Sequence, residues 1–230
     1  MPKSPPSFDP ELFGLLRDLR QNNRRDWFQA NKERYEEQVK HPALQFISDF
    51  GPHLRKISSN FMADPRPVGG SLFRIYRDVR FSKDKSPYKT AVGIQFRHKQ
   101  CKDVHTPGFY LHLEPDACFV GLGIWHPDSK SLSRIRAYLA DDPTRWKRAV
   151  GSKRFREQFD LVGESLKRAP KGFDPDDLLI EDLKRKDFIA STQLQESAVT
   201  APGFLDEYAR MCRAGAPFVR YLCAATDIPF

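Results

Sequence analysis

Three short runs in the middle of the chain alternate apolar residues with polar or small ones, and this period of two constrains the fold more than any other feature. Val92, Ile94 and Phe96 alternate with Gly93, Gln95 and Arg97. Phe109, Leu111 and Leu113 alternate with Tyr110, His112 and Glu114. Cys118, Val120, Leu122 and Ile124 alternate with Phe119, Gly121, Gly123 and Trp125. Successive side chains on a strand point to opposite faces, so each run predicts a strand with one buried face. Pro115-Asp116 between the second and third runs predicts a tight hairpin, hence an antiparallel meander and not a βαβ array.

On both sides of the meander the period lengthens to that of a helix. Asp9-Pro10 reads as an N-cap with proline at the first helical position. Leu12, Leu15, Leu16 and Leu19 follow as one apolar stripe, and Asn22-Asn23 ends it. Trp27, Phe28, Asn31 and Tyr35 sit at helical spacing, more as core than as a stacking platform. Pro42 is expected to open a third helix, with Leu44, Phe46, Ile47, Phe50 and Leu54 inward. Residues 58–71 read as loop. Pro127-Asp128-Ser129 starts a helix through about Leu139, shorter helical pieces follow to 185, and 187–194 suits a further strand. Residues 204–226 read as a closing helix or pair, interrupted near Gly215 and Pro217. The fold class is therefore α+β, a central antiparallel sheet flanked by N-terminal and C-terminal helices. Residues 1–7, rich in proline and serine, are expected to form a flexible tail, and 8–230 a single domain.

The charge is unevenly placed. The chain has 38 Lys+Arg against 30 Asp+Glu, a net charge of +8. Residues 51–100 hold 11 basic and 3 acidic groups, while 1–50 and 151–230 are nearly balanced. Within the basic quarter lies FRIYRDVRFSKDKSPYKT, residues 73–90, with six basic and two acidic side chains among aromatics. The run fits a strand or a helix; we read it as extended through Phe81, with Phe73, Ile75, Val79 and Phe81 on one face and 82–87 as a turn. Its aromatic interleaving predicts partial burial, lining a cleft with the sheet. Arg74, Arg77 and Arg80 are suited to grip carboxylate or phosphate oxygens. Lys83, Lys85 and Lys89 add point charges, and Tyr88 offers a hydroxyl and a stacking ring. The competing reading is that these charges form structural ion pairs with the acidic parts of the chain.

The non-core face of the meander should carry Gln95, Tyr110, His112 and Glu114 beside Gly93, Gly121 and Gly123. A helix packed on those glycines is the favoured reading; a cleft floored by them and edged by His112, Glu114 and the basic segment is the alternative. His98-x2-Cys101-x3-His105 has ligand-like spacing but lacks the paired knuckles of zinc sites and lies among Arg97, Lys99 and Lys102, so no metal is expected. The four cysteines form no CxxC and read as reduced thiols. There is no GxxxxGK[ST] or GxGxxG, and the S-x-x-K matches at Ser82 and Ser86 lack their companion motifs, so no cofactor is expected. No apolar run is long enough to span a bilayer and no secretory leader is visible, so a cytoplasmic location without a membrane partner is expected.

At FRIYRDVRFSKDKSPYKT the sequence resembles a widespread family of bacterial and fungal proteins catalogued as a domain of unknown function. The likeness extends to NNRRDWFQANKERYEE (22–37), FYLHLEP (109–115), VGLGIWHPD (120–128) and APGFLDEYARMCRAGAPFVRYL (201–222). It implies a soluble, mostly cytoplasmic α+β protein and brings no activity, substrate or catalytic residues. The function expected from the residues is binding, and beyond it processing, of a small anionic or phosphorylated ligand. Arg74, Arg77, Arg80, Lys83, Lys85 and Lys89 would supply charge, Tyr88 would orient the ligand, and Asp78, His112 or Glu114 would transfer protons. The alternatives are a nucleic-acid-binding module using the same patch and a protein-interaction scaffold with structural ion pairs.

Overall fold

A computed structural model describes residues 4–100 and 105–230. Helix α1 (Pro10–Gln21) begins where the sequence places it, the Asp9 side chain accepting a hydrogen bond from the backbone N–H of Glu11. Helices α2 (Arg25–Ala30) and α3 (Lys32–Tyr35) follow. Pro42 stands in the first turn of the next helix, as the sequence predicts. A π-helical turn, Glu36–Lys40, joins α3 directly to α4 (His41–Ile57). Proline has no N–H to give the carbonyl four residues back, and its ring crowds that carbonyl; a widened turn just before it relieves both conflicts.

The meander is β1 (Val92–Arg97), β2 (Gly108–Leu113) and β3 (Cys118–Ile124). Helices α5 (Ser129–Asp141), α6 (Pro143–Gly151) and α7 (Lys153–Gln158) come next, then the three-residue β4 (Asp160–Val162) and α8 (Ile180–Leu183). Strand β5 (Phe188–Leu194), α9 (Glu196–Val199) and α10 (Phe204–Ala225) complete the order. The five strands lie in the order β1-β2-β3-β5-β4, each neighbouring pair antiparallel. Helices stand on both sides of the sheet in sequence, as α+β requires.

Helix α10 is unbroken through Gly215 and Pro217. Gly215 lies against Leu122 of β3, where a Cβ would overlap the leucine side chain, so the glycine serves close helix–sheet contact and does not end the helix. Pro217 removes one helical hydrogen bond, but the buried face of α10 holds it in place by packing. The core joins α1, α4 and α10 to one face of the sheet; Leu12, Phe46, Phe50, Phe96, Leu111 and Tyr208 are all fully buried there. Ser4, inside the stretch read as a tail, accepts a hydrogen bond at its carbonyl from the N–H of Gly203 at 2.8 Å. Among the described residues no helix is long and apolar enough to cross a membrane.

Candidate functional site

The 73–90 segment forms a narrow hairpin, not a continuous strand. Its first limb docks on the open edge of β1: the N–H of Phe73 donates to Gly93 O at 2.9 Å, and that of Gln95 to Ser71 O at 2.8 Å. The limbs then pair with each other, Arg77 N–H to Pro87 O at 2.9 Å and Lys89 N–H to Ile75 O at 2.7 Å, with Tyr76 opposite Tyr88. The Asn23 side chain acts as a short piece of strand. Its amide nitrogen donates to Tyr88 O at 2.9 Å and its oxygen accepts from Tyr88 N–H at 3.0 Å. The Tyr88 ring is buried and stacks on Phe28 at 4.1 Å between centroids.

The expected apolar face does not survive this geometry. Ile75 is buried and Phe73 and Val79 are half-buried, but Phe81 is 95% exposed at the hairpin tip. The physical reason is that the chain bends at Arg80 and Phe81, where Ser82 N–H reaches back to Val79 O at 3.4 Å, so alternation no longer aims Phe81 inward.

Ion pairing in the hairpin is local. Arg80 binds Asp78 at 2.7 Å, and this fork holds the Asp78 carboxyl down to about 2. Arg77 binds Asp84; the Ser86 hydroxyl and then Arg77 keep that carboxyl well below the usual range. Lys85 Nζ donates to Val79 O at 2.9 Å. Lys89 Nζ sits 5.3 Å from the centre of the Phe73 ring, and partial burial, then the Arg74 charge, lowers its pKa. Among the described residues Arg74 and Lys83 have no ion-pair partner, and both are exposed.

Two hollows adjoin this hairpin. The smaller, about 390 Å³, lies between α2 and the limbs and is lined by Arg25, Gln29, Tyr76, Arg77, Val79, Pro87 and Tyr88. It unites two expected residues, Arg77 and Tyr88, with Arg25, Gln29 and Tyr76. Sequence reasoning passed over Arg25 because it lies in a charge-balanced region. Burial raises the Tyr88 hydroxyl's pKa, an effect the Arg25 charge partly offsets.

The larger hollow, about 590 Å³, opens on the outer face of the sheet. Phe73 walls one side, Trp125 and Val162 lie toward the other, and Gly121, Tyr110, His112, Ser191 and Gln193 are in its lining. Here the structure corrects the favoured reading of the glycines. The nearest neighbours of a side chain at Gly93 would be Tyr110 and Phe73, and at Gly121 Phe119 and Tyr110, none of them from a helix. Of the three, only Gly123, at φ +111°, has a helix residue among those neighbours: its missing side chain points first at the Phe188 carbonyl of β5 and then at Phe218 of α10. Of the 73–90 segment only Phe73 reaches this cleft.

On β2 and at the residue just past its end, three alternate residues form a hydrogen-bonded chain along that face. The Tyr110 hydroxyl is 2.9 Å from His112 Nδ1, and His112 Nε2 is 3.1 Å from Glu114 Oε2. Glu114 Oε1 accepts from Thr90 Oγ1 at 3.2 Å and Arg20 at 3.4 Å. The His112 ring stacks on Phe119 at 4.7 Å, and burial pushes the Tyr110 hydroxyl up to about 12. His112 and Glu114 are thus brought together with each other, and both lie apart from Asp78 in the hairpin.

The histidines and cysteine with ligand-like spacing have other surroundings. His98 is buried; its Nε2 lies 2.8 Å from Pro229 O, to which it must donate, while Nδ1 accepts from Gln100 N–H at 3.2 Å. Both ring nitrogens are therefore committed to backbone. His105 Nδ1 lies 2.9 Å from Trp125 O, and Cys101 falls outside the described residues.

An α+β protein with a five-stranded antiparallel sheet, a hairpin clamped on its edge and a hollow on its open face is the class these observations define. A family model described as Conserved hypothetical protein (DUF2461) matches residues 11–221, and the chain belongs to that family. No curated protein and no solved structure matches the chain.

Proposed function

We propose that this protein binds a small anionic or phosphorylated ligand in the pocket between α2 and the 73–90 hairpin. One observation carries the reading: the lining offers two guanidiniums and two phenol rings and, among the described residues, no carboxylate. Guanidinium forks match phosphate and carboxylate oxygens, and phenols add neutral donors and apolar walls. Asp78, His112 and Glu114 are absent from this lining, so the reading is binding and not catalysis at this pocket.

Thermal unfolding with inorganic phosphate, phosphate monoesters and dicarboxylates tests it. A cognate anion at a hundred times its Kd should stabilise wild type by about 2.7 kcal/mol. Arg25→Ala and Arg77→Ala should fold and lose that shift. Failure of every anion to stabilise wild type would defeat the proposal.

A second reading rests on the hairpin tip. Arg80 lies 5.8 Å from the centre of the exposed Phe81 ring, with Lys83 and Lys85 beside it. A stacking ring amid cations suits single-stranded nucleic acid. Oligonucleotide affinity should then fall with salt at a log–log slope of roughly −0.7 per phosphate contacted, and Phe81→Ser should weaken it. Pocket variants and tip variants separate the two readings.

A further inference from the structure

The sheet cleft is distinct from the pocket beside α2, and with His112 uncharged its hydrogen bonds run in one sense. The Glu114 carboxylate beside Arg20 only accepts, so the proton between it and His112 belongs to His112 Nε2. In the uncharged ring that leaves Nδ1 as a bare acceptor, and the Tyr110 hydroxyl at 2.9 Å donates to it. That commits the one proton of Tyr110. What remains on its oxygen is acceptor capacity alone, on a residue that lines the cleft.

The rest of the chamber is mostly apolar and aromatic. Phe73, Phe119 and Trp125 supply rings, Val162 and Ile189 supply aliphatic surface, and the bare backbone of Gly121 lets a flat molecule approach the sheet. A volume of about 590 Å³ lies in the range of small-molecule sites.

We propose that this cleft is a second binding site, for a small planar aromatic molecule whose hydroxyl group donates a hydrogen bond to Tyr110 Oη. Glu114 and His112 are positioning residues that hold Tyr110 as an acceptor. A ligand of the same shape without a donor leaves the Tyr110 oxygen desolvated and unmatched.

The test compares 2-naphthol with 2-methoxynaphthalene by titration calorimetry. Wild type should bind the naphthol at least about tenfold more tightly than its methyl ether, the worth of one such hydrogen bond. Tyr110→Phe should bind both alike, at the ether's affinity. Gly121→Val, whose new side chain fills the cleft floor, should bind neither and keep a melting temperature near that of wild type. The proposal fails if wild type binds neither compound or binds the two equally, if Tyr110→Phe keeps the preference, or if Gly121→Val binds as wild type does.

Discussion

Tyr88 is buried, and both of its backbone polar groups look to one side chain 65 residues away in sequence. A buried N–H or C=O left without a partner costs about 1–3 kcal/mol. Asn23→Ala removes both partners at once, so it should destabilise the protein by about 2–3 kcal/mol in urea unfolding and loosen the pocket wall that Tyr88 forms. Asn23→Asp should also destabilise, because a carboxylate cannot donate to Tyr88 O. Asp84 gives a prediction of the opposite sign. Its carboxylate holds Arg77 from an exposed position, 60% accessible, and so competes with any anion in the pocket. Asp84→Asn should strengthen anion binding several-fold in the same titrations, whereas Asp78→Asn, which frees Arg80 outside the lining, should not. The sequence revealed the basic residues themselves but not their local pairing. Asp78 and Asp84 sit inside the basic run, and whether they neutralise it depends on where the chain turns.

At the scale of elements, period was a good guide and punctuation a poor one. The three meander strands, their hairpin, α1 with its Asp9 cap, α5 and β5 all follow from alternation and stripe. Strand β4 escaped notice because three residues carry too little period to read. Gly215 and Pro217 suggested a break in the last helix, yet the glycine answers to Leu122 on β3, which no local pattern reveals. Gly215→Ala should therefore destabilise by about 1–3 kcal/mol through overpacking, although alanine is the better helix former. Leu122→Val in the same chain should recover part of the loss, and a double-mutant cycle of unfolding free energies would show the coupling. Additive losses would mean that Gly215 does not act through that contact. The sheet's outer face was legible as a set of residues. Whether a helix covered it was not, because that depends on which face the long helices choose.

For the molecule as a whole, the titrating groups displaced furthest upward are buried phenols and thiols. Burial raises Tyr35, Tyr208 and Tyr221, pushes Tyr110 to about 12, and raises Cys118 to about 11. A group whose folded pKa lies above its unfolded value contributes stability below the unfolded value and loses it as pH rises through the folded one. The unfolded values are 9.0 for Cys118 and 10.0 for Tyr110. Unfolding free energy should thus fall steeply from about pH 9 toward 12, with tyrosine ionisation and loss of structure coinciding; urea titrations across that range would check it. A flat profile would contradict the burial of these groups. The hairpin has one further consequence. Its two limbs are held to β1, to Asn23 and to each other, while Lys83 and Lys85 at the tip are exposed. A protease cutting after Lys83 would sever the chain without releasing either side. The nicked protein should run as two bands under denaturing conditions yet migrate and melt as one particle, and the two halves, made separately, should find each other again.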